Sequence, residues 1–552
     1  MTFGPRPVEA ERVAAIGIER WIDAQLRPEL IDDQAGARTL AGCPLWFVVC
    51  FKAQPHSSDQ FASEGRSAQN GAMIVKRFYD EKLAQASYLI GCSVTGQALV
   101  IDPNRDVEPY QQAAAAERVK ITHVTETHIH ADFVSGTREL AARTGATMLL
   151  SAEGGPDWQY GFRNDKDVQL LEHGDRFAVG SIQIEVAHTP GHTPEHIIFF
   201  ITDGAAADQP ISVVTGDFVF VGDVGRPDLL EKAAQVEGSM AESARQLFAS
   251  LQTFKQLPDY LQIWPGHGAG SACGKGLSAI PHSTVGYERM FNWAFAIEDE
   301  TQFVNAVLSG QPEPPKYFAE MKRINRAGPQ VLGGWPVPDR LPADQLDAVL
   351  ARHAIVVDTR RAHEYAAGHV PGTISLPLDK SFSTWAGWLL PYDREFYLLL
   401  PSDDSRVVNE TVKSLAAIGL DRISGYFTSD AITSWLVKGR TLETVPQVKV
   451  DQLAQQLASG TTHVIDVRGH TEWEEGHVPG VENIPLGYLL DRQADLPRDL
   501  PIVLHCQGGG RSSIGVGLLK AHGFTNVSNL AGGFTEWVRR GHPVEAPTDS
   551  EV

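Results

Sequence analysis

The stretch THIHADF, residues 127–133, decides the fold of the first half of the chain. It follows the strand-like run 121–124. Two histidines stand at i and i+2, His128 and His130, with Asp132 behind them. Imidazole and carboxylate side chains together bind borderline metals such as zinc and iron, and ligands at strand ends converge above a sheet. The stretch therefore predicts a metal site at the end of a strand.

Three further stretches repeat this pattern of a polar residue directly after a strand-like run. They are HTPGHTPEH with His192, VVTGDFVF with Asp217, and WPGHG with His267. A single histidine is more often an ordinary hydrogen-bonded residue than a ligand. Four such clusters in one chain favour a shared metal site, because strand ends meet at the same edge of a sheet.

The series THIHAD, GHTPEH, TGD and PGH resembles the metallo-β-lactamase superfamily across residues 73–310. The resemblance implies an αββα sandwich, in which two mixed sheets lie between layers of helices. This fold hosts two-metal hydrolases and also oxidoreductases, so the fold alone does not name the reaction. The two-zinc hydrolases have a histidine directly after the aspartate of HxHxD, whereas this chain has Phe133, which has no lone pair to donate.

Phe133 leaves the second metal position with mainly Asp132 and His267, too few protein ligands for a closed coordination shell. Together with GDVGRPDLL at residues 222–230, this departure makes the chain similar to the persulfide dioxygenase branch of the superfamily. The metal of that branch is Fe(II). The resemblance therefore implies one Fe(2+) per chain.

The same resemblance implies a role for each residue of the four clusters. The iron ligands that it gives are His128, His192 and Asp217. The residues that orient ligands and waters are His130, Asp132 and His267. Arg226 matches the family's substrate-contacting arginine, since a fixed guanidinium attracts a carboxylate or phosphate on the thiol carrier. The alternative for Arg226 is a salt bridge within a loop.

The segment after His267 departs from the family. Stand-alone glutathione persulfide dioxygenases have a tyrosine there, whereas this chain reads GAGSACGKG at residues 268–276. The thiol carrier, glutathione or coenzyme A, is therefore left open. Ser271, Lys275 and the glycine N–H groups can bind a phosphate-bearing carrier, or the segment can be a loop that closes over the following helix.

A repeat occupies the second half of the chain. DTRRAHEYAAGHVPGTISLP, from Asp358, and DVRGHTEWEEGHVPGVENIP, from Asp466, align at a constant offset of 108 residues. Each copy alternates β-branched runs with helical stretches, which predicts two α/β domains with parallel sheets. The first copy is placed at residues 339–445 and the second copy at 446–546.

Three further segments complete the predicted domain organisation. Residues 1–72 form an N-terminal extension that we expect to be poorly ordered, and residues 73–310 form the metallo-β-lactamase-like domain. Residues 311–338 are rich in proline and predict a semi-rigid linker. The predicted fold class is therefore α/β multidomain, an αββα sandwich followed by two smaller α/β domains.

The second copy contains a reactive cysteine in PIVLHCQGGGRSS. Cys506 follows an apolar run and precedes a group of residues that can form an anion-binding nest: Gly508, Gly509, Gly510 and Arg511. Inward-pointing N–H groups and a guanidinium stabilise a thiolate or persulfide anion. The Cys-x4-Arg spacing, with DVR and EGHVPG upstream, resembles the rhodanese family. That resemblance implies that Cys506 and Arg511 are catalytic and that the three glycines bind the substrate.

The first copy lacks the cysteine. FYLLLPSDDSR sets Pro401 against Cys506 and Arg406 against the arginine of the second copy. Asp403 and Asp404 replace glycines and add negative charge where an anionic sulfur would lie, which opposes sulfur chemistry. The first copy is therefore predicted to be a catalytically silent rhodanese homologue with a structural or interface role.

The amino-acid composition restricts the possible binding partners and the cellular compartment. Lys and Arg number 47 against 68 Asp and Glu, so the net charge of -21 would repel nucleic acid. Five scattered cysteines are not typical of a disulfide framework, and we expect a reducing cytoplasm, with Cys92 and Cys273 as inert core residues. No apolar stretch near the N-terminus approaches the roughly 20 residues of a membrane span. The sequence leaves open whether the protein forms a homo-oligomer.

The predicted function combines two activities. A non-haem Fe(II) persulfide dioxygenase oxidises low-molecular-weight thiol persulfides with O2 to sulfite, and Cys506 transfers sulfur to or from thiosulfate, in sulfide detoxification. One alternative is a glyoxalase II-like thioester hydrolase with two zinc ions, against which Phe133 argues. The other alternative is a non-enzymatic sulfur-carrier scaffold, and three ligands with open positions suit catalysis better than a structural metal.

Overall fold

The computed structural model describes residues 73–229, 239–311 and 313–546, and the predicted extension 1–72 lies outside them. The first six strands form one sheet in chain order. These strands are β1 Met73–Asp80, β2 Gln85–Cys92, β3 Gln97–Ile101, β4 Lys120–Thr125, β5 Thr147–Ser151 and β6 Val168–Leu171. Strands β1 to β3 pair antiparallel and β3 to β6 pair parallel, so the sheet is mixed.

The next six strands form a second mixed sheet, in the order β12-β11-β10-β9-β8-β7. They are β7 Arg176–Val179, β8 Ile182–His188, β9 Ile197–Asp203, β10 Ser212–Gly216, β11 Gln262–Pro265 and β12 Ser283–Thr284. Strands β10 and β11 pair parallel, whereas their other neighbours pair antiparallel. The carboxyl ends of β10 and β11 therefore meet at one edge.

Helices cover the outer faces of both sheets. They are α1 Glu108–Ala116, α2 Thr137–Thr144, α3 Ser239–Phe254, α4 Val285–Phe291, α5 Trp293–Ala296 and α6 Glu300–Leu308. One buried cluster joins Tyr88 to Val214 between the sheets. A second joins the first sheet to α1 and α2, and a third joins the second sheet to α3 and α6. The layers are therefore helix, sheet, sheet, helix.

Local sequence explains why these elements form. All eight residues of β2, QASYLIGC, are buried, as expected for a strand covered on both faces. Helix α3 buries Leu247, Leu251 and Phe254, whose spacing places them on one face of the helix. Helix α2 ends at Gly145, whose φ of 72° gives the left-handed conformation that glycine adopts without strain.

The connecting segment contains a buried helix, α7 Tyr317–Ala327. Asn325 donates to the carbonyls of His130 and Phe133 at 2.8 and 2.7 Å, so the helix lies against the THIHADF loop. The prolines of the predicted linker indicate an extended spacer, but Tyr317, Phe318 and Met321 form an apolar face that packs into the core.

The first copy contains a four-stranded parallel sheet in the order β14-β13-β15-β16. Its strands are β13 Ile355–Asp358, β14 Ile374–Ser375, β15 Phe396–Leu400 and β16 Ile423–Thr428. Its helices are α8 Leu346–Ala351, α9 Ala362–Ala367, α10 Phe382–Leu389, α11 Ser405–Ala416 and α12 Asp430–Val437.

The second copy contains a five-stranded parallel sheet in the order β17-β21-β20-β18-β19. Its strands are β17 Gln447–Val448, β18 His463–Asp466, β19 Glu482–Asn483, β20 Ile502–His505 and β21 Val527–Leu530. Its helices are α13 Val450–Ser459, α14 His470–Glu474, α15 Gly510–Ala521 and α16 Gly533–Arg539.

The repeat in the sequence is a repeat in the structure. In the first copy, Arg360 donates to Asp358 at 2.6 Å and to the carbonyl of Gly368 at 3.1 Å. In the second copy, Arg468 donates to Asp466 at 2.7 Å and to the carbonyl of Gly476 at 2.8 Å. The same arginine therefore ties the first strand to the next loop in both copies.

The first copy also packs against the sandwich. Arg105 donates to Asp421 at 2.8 Å, and Lys413 donates to Asp106 at 2.8 Å. All of the described residues belong to one compact unit. No helix in the described ranges is long and apolar enough to cross a membrane. The predicted fold class, an αββα sandwich followed by rhodanese-like α/β structure, is confirmed, whereas the exact domain boundaries stay predictions.

Candidate metal centre and cysteine loop

The four predicted clusters meet at one edge of the sandwich. His128 follows β4, His192 follows β8, Asp217 follows β10 and His267 follows β11. His128, His192 and Asp217 each offer one ligand atom, and these three atoms lie within 4.8 Å of one another. The structure thus brings together the three residues predicted to hold the metal, and their identity as ligands stays a prediction.

His128 is held in the orientation and tautomer that a ligand needs. The Thr127 hydroxyl donates to Asp102 at 3.0 Å, so it accepts from Nδ1 of His128, also at 3.0 Å. The lone pair therefore remains on Nε2, which faces Asp217 Oδ2 at 3.9 Å. Burial lowers the pKa of His128 well below its usual value, which keeps the ring neutral.

His192 has the same arrangement with a different partner. Its Nδ1 donates to the carbonyl of Arg226 at 3.1 Å, and its Nε2 lies 3.5 Å from Asp217 Oδ2. Burial lowers the pKa of His192 to about 4, so its ring is neutral as well. Two imidazole lone pairs therefore point toward one carboxylate oxygen.

Asp217 is positioned by a histidine that the sequence did not single out. The Asp217 amide donates to Nε2 of His196 at 3.2 Å, and the Thr189 hydroxyl bonds Nδ1 of that ring at 2.9 Å. Gly216 has a φ of 50°, and a Cβ there would lie 2.4 Å from Thr127 Oγ1. Only glycine therefore permits this approach of β10 to the THIHADF loop.

The Asp217 carboxylate is charged although it is buried. Burial raises the pKa of Asp217, but His267 beside it lowers the pKa more, so the net pKa lies well below the usual value. Asp217 Oδ2 has no hydrogen-bond partner among the described residues. A buried, unpaired carboxylate oxygen between two imidazoles is stabilised by a cation.

His130 lies beside His128, with ring centroids 4.3 Å apart, and pairs with Asp102. Its Nε2 lies 3.1 Å from Asp102 Oδ1. Burial lowers the pKa of His130, but Asp102 raises it more, so the pKa rises to about 9 and the ring is cationic. Asp102 also binds the Thr127 amide at 2.6 Å. His130 therefore supports the THIHADF loop, and its role in orienting metal ligands stays a prediction.

Arg226 is fully buried, with 0% of its surface exposed. Its guanidinium donates to both oxygens of Asp228, at 2.7 and 2.6 Å, and to the carbonyl of Ala272 at 3.0 Å. This is the salt bridge that the sequence allowed as an alternative. Its contact with a substrate stays a prediction.

The glycine-rich segment 268–276 is bound by a carboxylate of the chain itself. The amides of Lys275 and Gly276 donate to Asp223 Oδ2 at 2.9 and 2.8 Å. The Lys275 ammonium donates to the carbonyl of Ala306 at 2.6 Å. Asp223 therefore occupies two of the N–H groups that the segment could offer to a phosphate, and the choice between the two alternatives stays a prediction.

A second cluster of potential ligands lies beside the first. Asp132, His267 and Cys273 each offer one donor atom, and these atoms lie within 4.8 Å of one another. His267 Nε2 is 3.3 Å from Asp132 Oδ2 and 3.4 Å from Asp217 Oδ1. Cys273, which the sequence predicts to be an inert core residue, is thus part of the same centre.

The cysteine loop, residues 506–511, runs from the end of β20 into the first turn of α15. The Gly509 amide donates to Cys506 Sγ at 3.2 Å, and the Ser512 hydroxyl donates to it at 3.4 Å. Arg511 donates to Glu472 Oε1 at 2.7 Å. Gly509 has a φ of 99°, which turns its amide toward the sulfur. The loop thus presents donors to the sulfur, and the roles of its residues stay predictions.

The proline loop, residues 401–406, runs from the end of β15 into the first turn of α11 of the first copy. Asp404 Oδ1 accepts from the Arg406 amide at 2.9 Å, and Arg406 donates to Asp404 Oδ2 at 3.0 Å. Asp403 accepts from Arg340 at 2.7 Å. The donors at the start of α11 are therefore bound by carboxylates of the chain.

Sequence reasoning missed four residues of these centres, Asp102, His196, Cys273 and Glu472. Asp102 follows β3, and the strand-end position that marked the other clusters could have found it. His196 lies four residues after His192 in a motif already quoted. Cys273 and Glu472 carry no comparable signal, because long-range folding brings them to the sites.

The site and the fold define a metal-binding α/β protein with a separate cysteine-containing domain. The family model of the metallo-beta-lactamase superfamily matches residues 81–267, and that of the rhodanese-like domain matches residues 449–540. A crystal structure described as a metallo-beta-lactamase from Staphylococcus aureus subsp. aureus COL is 46% identical, with a TM-score of 0.59. The similarity covers 65% of this chain and 99% of that chain. The chain therefore belongs to the metallo-beta-lactamase superfamily.

Two further similarities each cover less than half of the chain. Hydroxyacylglutathione hydrolase of Rhodospirillum rubrum is 32% identical over 186 residues, which are 33% of this chain and 60% of that relative. The crystal structure of ETHE1 from Myxococcus xanthus is 27% identical, with a TM-score of 0.38, and the match covers 48% of this chain and 100% of that one. The chain spans only 54 to 60% of the length of the curated relatives that it matches first.

Proposed function

We propose that the chain oxidises low-molecular-weight thiol persulfides with O2 to sulfite at one Fe(II), and that Cys506 transfers sulfur to or from thiosulfate. The observation that carries the proposal is the meeting of His128, His192 and Asp217 as two neutral imidazoles and one carboxylate. Two histidines and one carboxylate are the donor set typical of non-haem Fe(II) oxygenases. We place this activity in sulfide detoxification in the cytoplasm.

The residues of the first site fit a divalent iron. Both histidines have Nδ1 bound to an oxygen, which leaves each Nε2 lone pair for a metal. The unpaired Asp217 Oδ2 supplies negative charge at the same point. When bound, Fe(II) supplies the redox chemistry that lets O2 react with sulfur.

The surrounding residues of the chain prepare the site. Phe133 is fully buried, and its ring centroid lies 4.4 Å from that of His130. An apolar ring at this position excludes water and offers no competing ligand, which suits a soft sulfur substrate. Asp102 holds both Thr127 and His130, so the first ligand histidine cannot turn away.

The cysteine loop suits an anionic sulfur. The Cys506 thiolate attacks the outer sulfur of thiosulfate, a new S–S bond forms at Cys506, and sulfite leaves with the electron pair of the broken bond. The reverse reaction forms thiosulfate from sulfite and the Cys506 persulfide. The donors from Gly509 and Ser512 stabilise the negative charge in both directions.

We further propose that the first copy is a catalytically silent rhodanese homologue. It has Pro401 where the second copy has Cys506, and the carboxylate of Asp404 binds the start of α11. Its contacts with the sandwich, such as the pair of Arg105 and Asp421, support a structural role.

A second candidate function is a two-metal thioester hydrolase. It is favoured by the similarity to hydroxyacylglutathione hydrolase and by Asp217, whose second oxygen faces His267 at 3.4 Å. Phe133 weighs against it, because the position that would hold a ligand histidine carries a phenyl ring.

The deciding experiment measures O2 uptake and sulfite formation by protein loaded with iron under anaerobic conditions. Glutathione persulfide and coenzyme A persulfide are compared, with S-lactoylglutathione as the thioester substrate. We expect about one iron per chain and O2 uptake with persulfide. His128→Ala, His192→Ala and Asp217→Ala should each lose bound iron and O2 uptake, because a three-ligand site does not tolerate the loss of one donor.

His123→Ala is the matched control, since this histidine lies on β4 but outside both clusters. It should retain iron and O2 uptake. Hydrolysis of the thioester without any O2 uptake, in protein with two metals per chain, would establish the hydrolase instead.

A further inference from the structure

We infer that Lys322, on the connecting helix α7, binds a carboxylate of the thiol carrier beside the metal centre. The assignment rests on the proposed function, which makes a thiol persulfide the substrate, and it adds the chemical group that the chain recognises. Helix α7, Tyr317–Ala327, lies outside the residues that the two family models match, 81–267 and 449–540. Neither family match therefore gives this helix a role.

Helix α7 turns one face toward the metal centre. Near its end, Asn325 donates to two carbonyls of the THIHADF loop and accepts from the Ser135 amide at 2.9 Å. At its start, Tyr317 belongs to the same buried apolar cluster as Cys273. Lys322 precedes Asn325 by three residues, and residues three apart lie on the same face of a helix. Lys322 is therefore on the face of α7 that contacts the metal loop.

Lys322 is a buried cation without a hydrogen-bond acceptor. The residue is 9% exposed, and its Nζ lies 3.6 Å from the centroid of the Trp158 ring. The ring attracts the ammonium by a cation–π contact, but none of the three N–H groups has an acceptor among the residues that the structure describes. Burying an ammonium without acceptors is unfavourable, and an anionic ligand group would remove that cost.

The loop that carries Trp158 is fixed to both α7 and the second sheet. The Gly161 amide donates to the carbonyl of Arg326 at 2.7 Å, which ties the loop to the end of α7. A Cβ at Gly154 would lie 2.8 Å from the Cβ atoms of Glu195 and Trp158, so these two side chains begin close together. The ring, the Glu195 carboxylate and the ammonium therefore share one region beside the metal centre.

The charges in this region determine which anion is preferred. Burial lowers the pKa of His192, and the nearby charge of Lys322 lowers it further. Burial also lowers the pKa of Lys322 itself, whereas the carboxylate of Glu195 opposes that shift. A phosphate monoester carries about 1.5 to 2 negative charges at pH 7, which one lysine beside a carboxylate cannot balance. A carboxylate carries a single charge, so the geometry favours a carboxylate-bearing thiol over coenzyme A.

Unreactive analogues test this assignment without any turnover. N-acetyl-S-methylcysteine and its methyl ester differ by one carboxylate charge, and each is titrated into iron-loaded full-length protein under anaerobic conditions by calorimetry. We expect wild type to bind the acid about tenfold more tightly than the ester, because a charge-assisted hydrogen bond is lost in the ester. Lys322→Met should remove this preference. S-methyl-coenzyme A should bind more weakly than the acid.

Oxidation of the two corresponding persulfides gives a second readout. Lys322→Met should raise KM for the acid persulfide about tenfold with little change in kcat, since the contact is made equally in the bound substrate and the transition state. The kinetics of the ester persulfide should stay unchanged. Lys322→Arg retains the positive charge and should keep the preference for the acid. Arg323→Met is the matched control, because Arg323 lies on the same helix, is exposed and pairs with Glu320 at 2.8 Å.

Equal binding of acid and ester by wild type, or a retained preference in Lys322→Met, would overturn the inference. Tighter binding of S-methyl-coenzyme A than of the acid would overturn the assignment to a carboxylate. If Lys322→Met fails to fold, Trp158→Leu tests the same contact, and it should reduce the preference about threefold because the ring that holds the ammonium is lost. A Lys322-dependent preference for the acid, without oxidation of either persulfide, would reject only the proposed function.

Discussion

The cysteine loop and the proline loop occupy equivalent places in two copies of one fold, yet they offer opposite surroundings to a sulfur anion. In each copy a buried strand ends, and a long helix begins four residues after the first loop residue. In the second copy the Gly509 amide points at a sulfur. In the first copy the Arg406 amide points at the carboxylate of Asp404. The cysteine loop directs its donors at the site of an anionic sulfur, whereas the proline loop already contains an anion, the carboxylate of Asp404.

The difference is local, because the supports beneath both loops are the same. Arg360 and Arg468 each bind an aspartate at the end of a strand and a glycine carbonyl in the next loop. His369 and His477 each lie close to the carbonyl of the residue four positions earlier, at 3.0 Å. The two copies therefore keep the same frame while a few loop residues differ.

Outside the loops, the two copies differ in the contacts of a pair of equivalent glutamates, Glu472 and Glu364. Both glutamates bind the amide at the start of their own short helix, at 3.3 and 3.0 Å. Glu472 also binds Arg511, whereas Arg406 of the first copy turns to Asp404. Of these two glutamates, Glu472 is thus the one that contacts the arginine of its loop.

The largest effect is expected from Cys506→Ser. A serine hydroxyl cannot form the persulfide intermediate, so thiosulfate-linked sulfur transfer should fall roughly a thousandfold or more. O2 uptake on supplied persulfide should remain largely intact. Both rates are measured on the same preparation, with Cys92→Ser as the matched cysteine control. Equal thiosulfate yields from wild type and Cys506→Ser would show that a residue other than Cys506 carries the sulfur.

A smaller effect is expected from Glu472→Gln. The variant keeps the shape of the side chain but removes the charge that holds Arg511, so kcat/KM for sulfur transfer should fall about three- to tenfold. The pair is partly exposed, so high salt should reduce the difference between wild type and variant. Circular dichroism checks that the fold is retained.

Glu364→Gln in the first copy is the control for this variant. That glutamate makes the same contact with an amide, but the arginine of its copy, Arg406, binds Asp404 instead. It should leave sulfur transfer unchanged. A similar loss in both variants would mean that the glutamate acts by capping a helix and not by holding Arg511.

Sequence alone predicts much of this fold because its signals are local. The strand ends at His128, His192 and Asp217 could be recognised from short apolar runs, and the structure brings them together. The repeat is visible because the sequences of the two copies align at a constant offset. The helix Tyr317–Ala327 was not predicted, since its segment is rich in proline and its buried face depends on contacts with a distant loop.

The cluster of Asp132, His267 and Cys273 shows why the rest of the site could not be predicted. Cys273 lies in a glycine-rich segment without periodicity, and nothing in its neighbours marks it as a ligand. Its place depends on Asp223 and Arg226, which hold that segment from about 50 residues earlier in the chain. Such a contact is a property of the folded core and leaves no short-range pattern.

A modest effect on stability is expected from Asp404→Ala. Asp404 is the N-cap of α11, and its loss leaves the Arg406 amide without this acceptor. The melting temperature should fall by about two degrees, while Asp404→Asn, which keeps an oxygen acceptor, should change it less. Differential scanning calorimetry measures both. An unchanged melting temperature in Asp404→Ala would show that the carboxylate has no role in capping the helix.

The smallest effect is expected from Pro401→Cys, made in the Cys506→Ser background. The new thiol would stand where the second copy has its cysteine, but the amide at the start of α11 is already bound by Asp404. Asp403 and Asp404 would also oppose the negative charge that a thiolate or persulfide requires. Sulfur transfer should therefore stay at the uncatalysed level, measured as thiosulfate consumption and as persulfide trapped on the protein. Adding Asp403→Gly and Asp404→Gly to Pro401→Cys removes both carboxylates. If a persulfide formed only with these two additional changes, the two aspartates would be the reason why Pro401→Cys does not restore sulfur transfer. Rescue by Pro401→Cys without those changes would show instead that the missing cysteine is the whole difference between the copies.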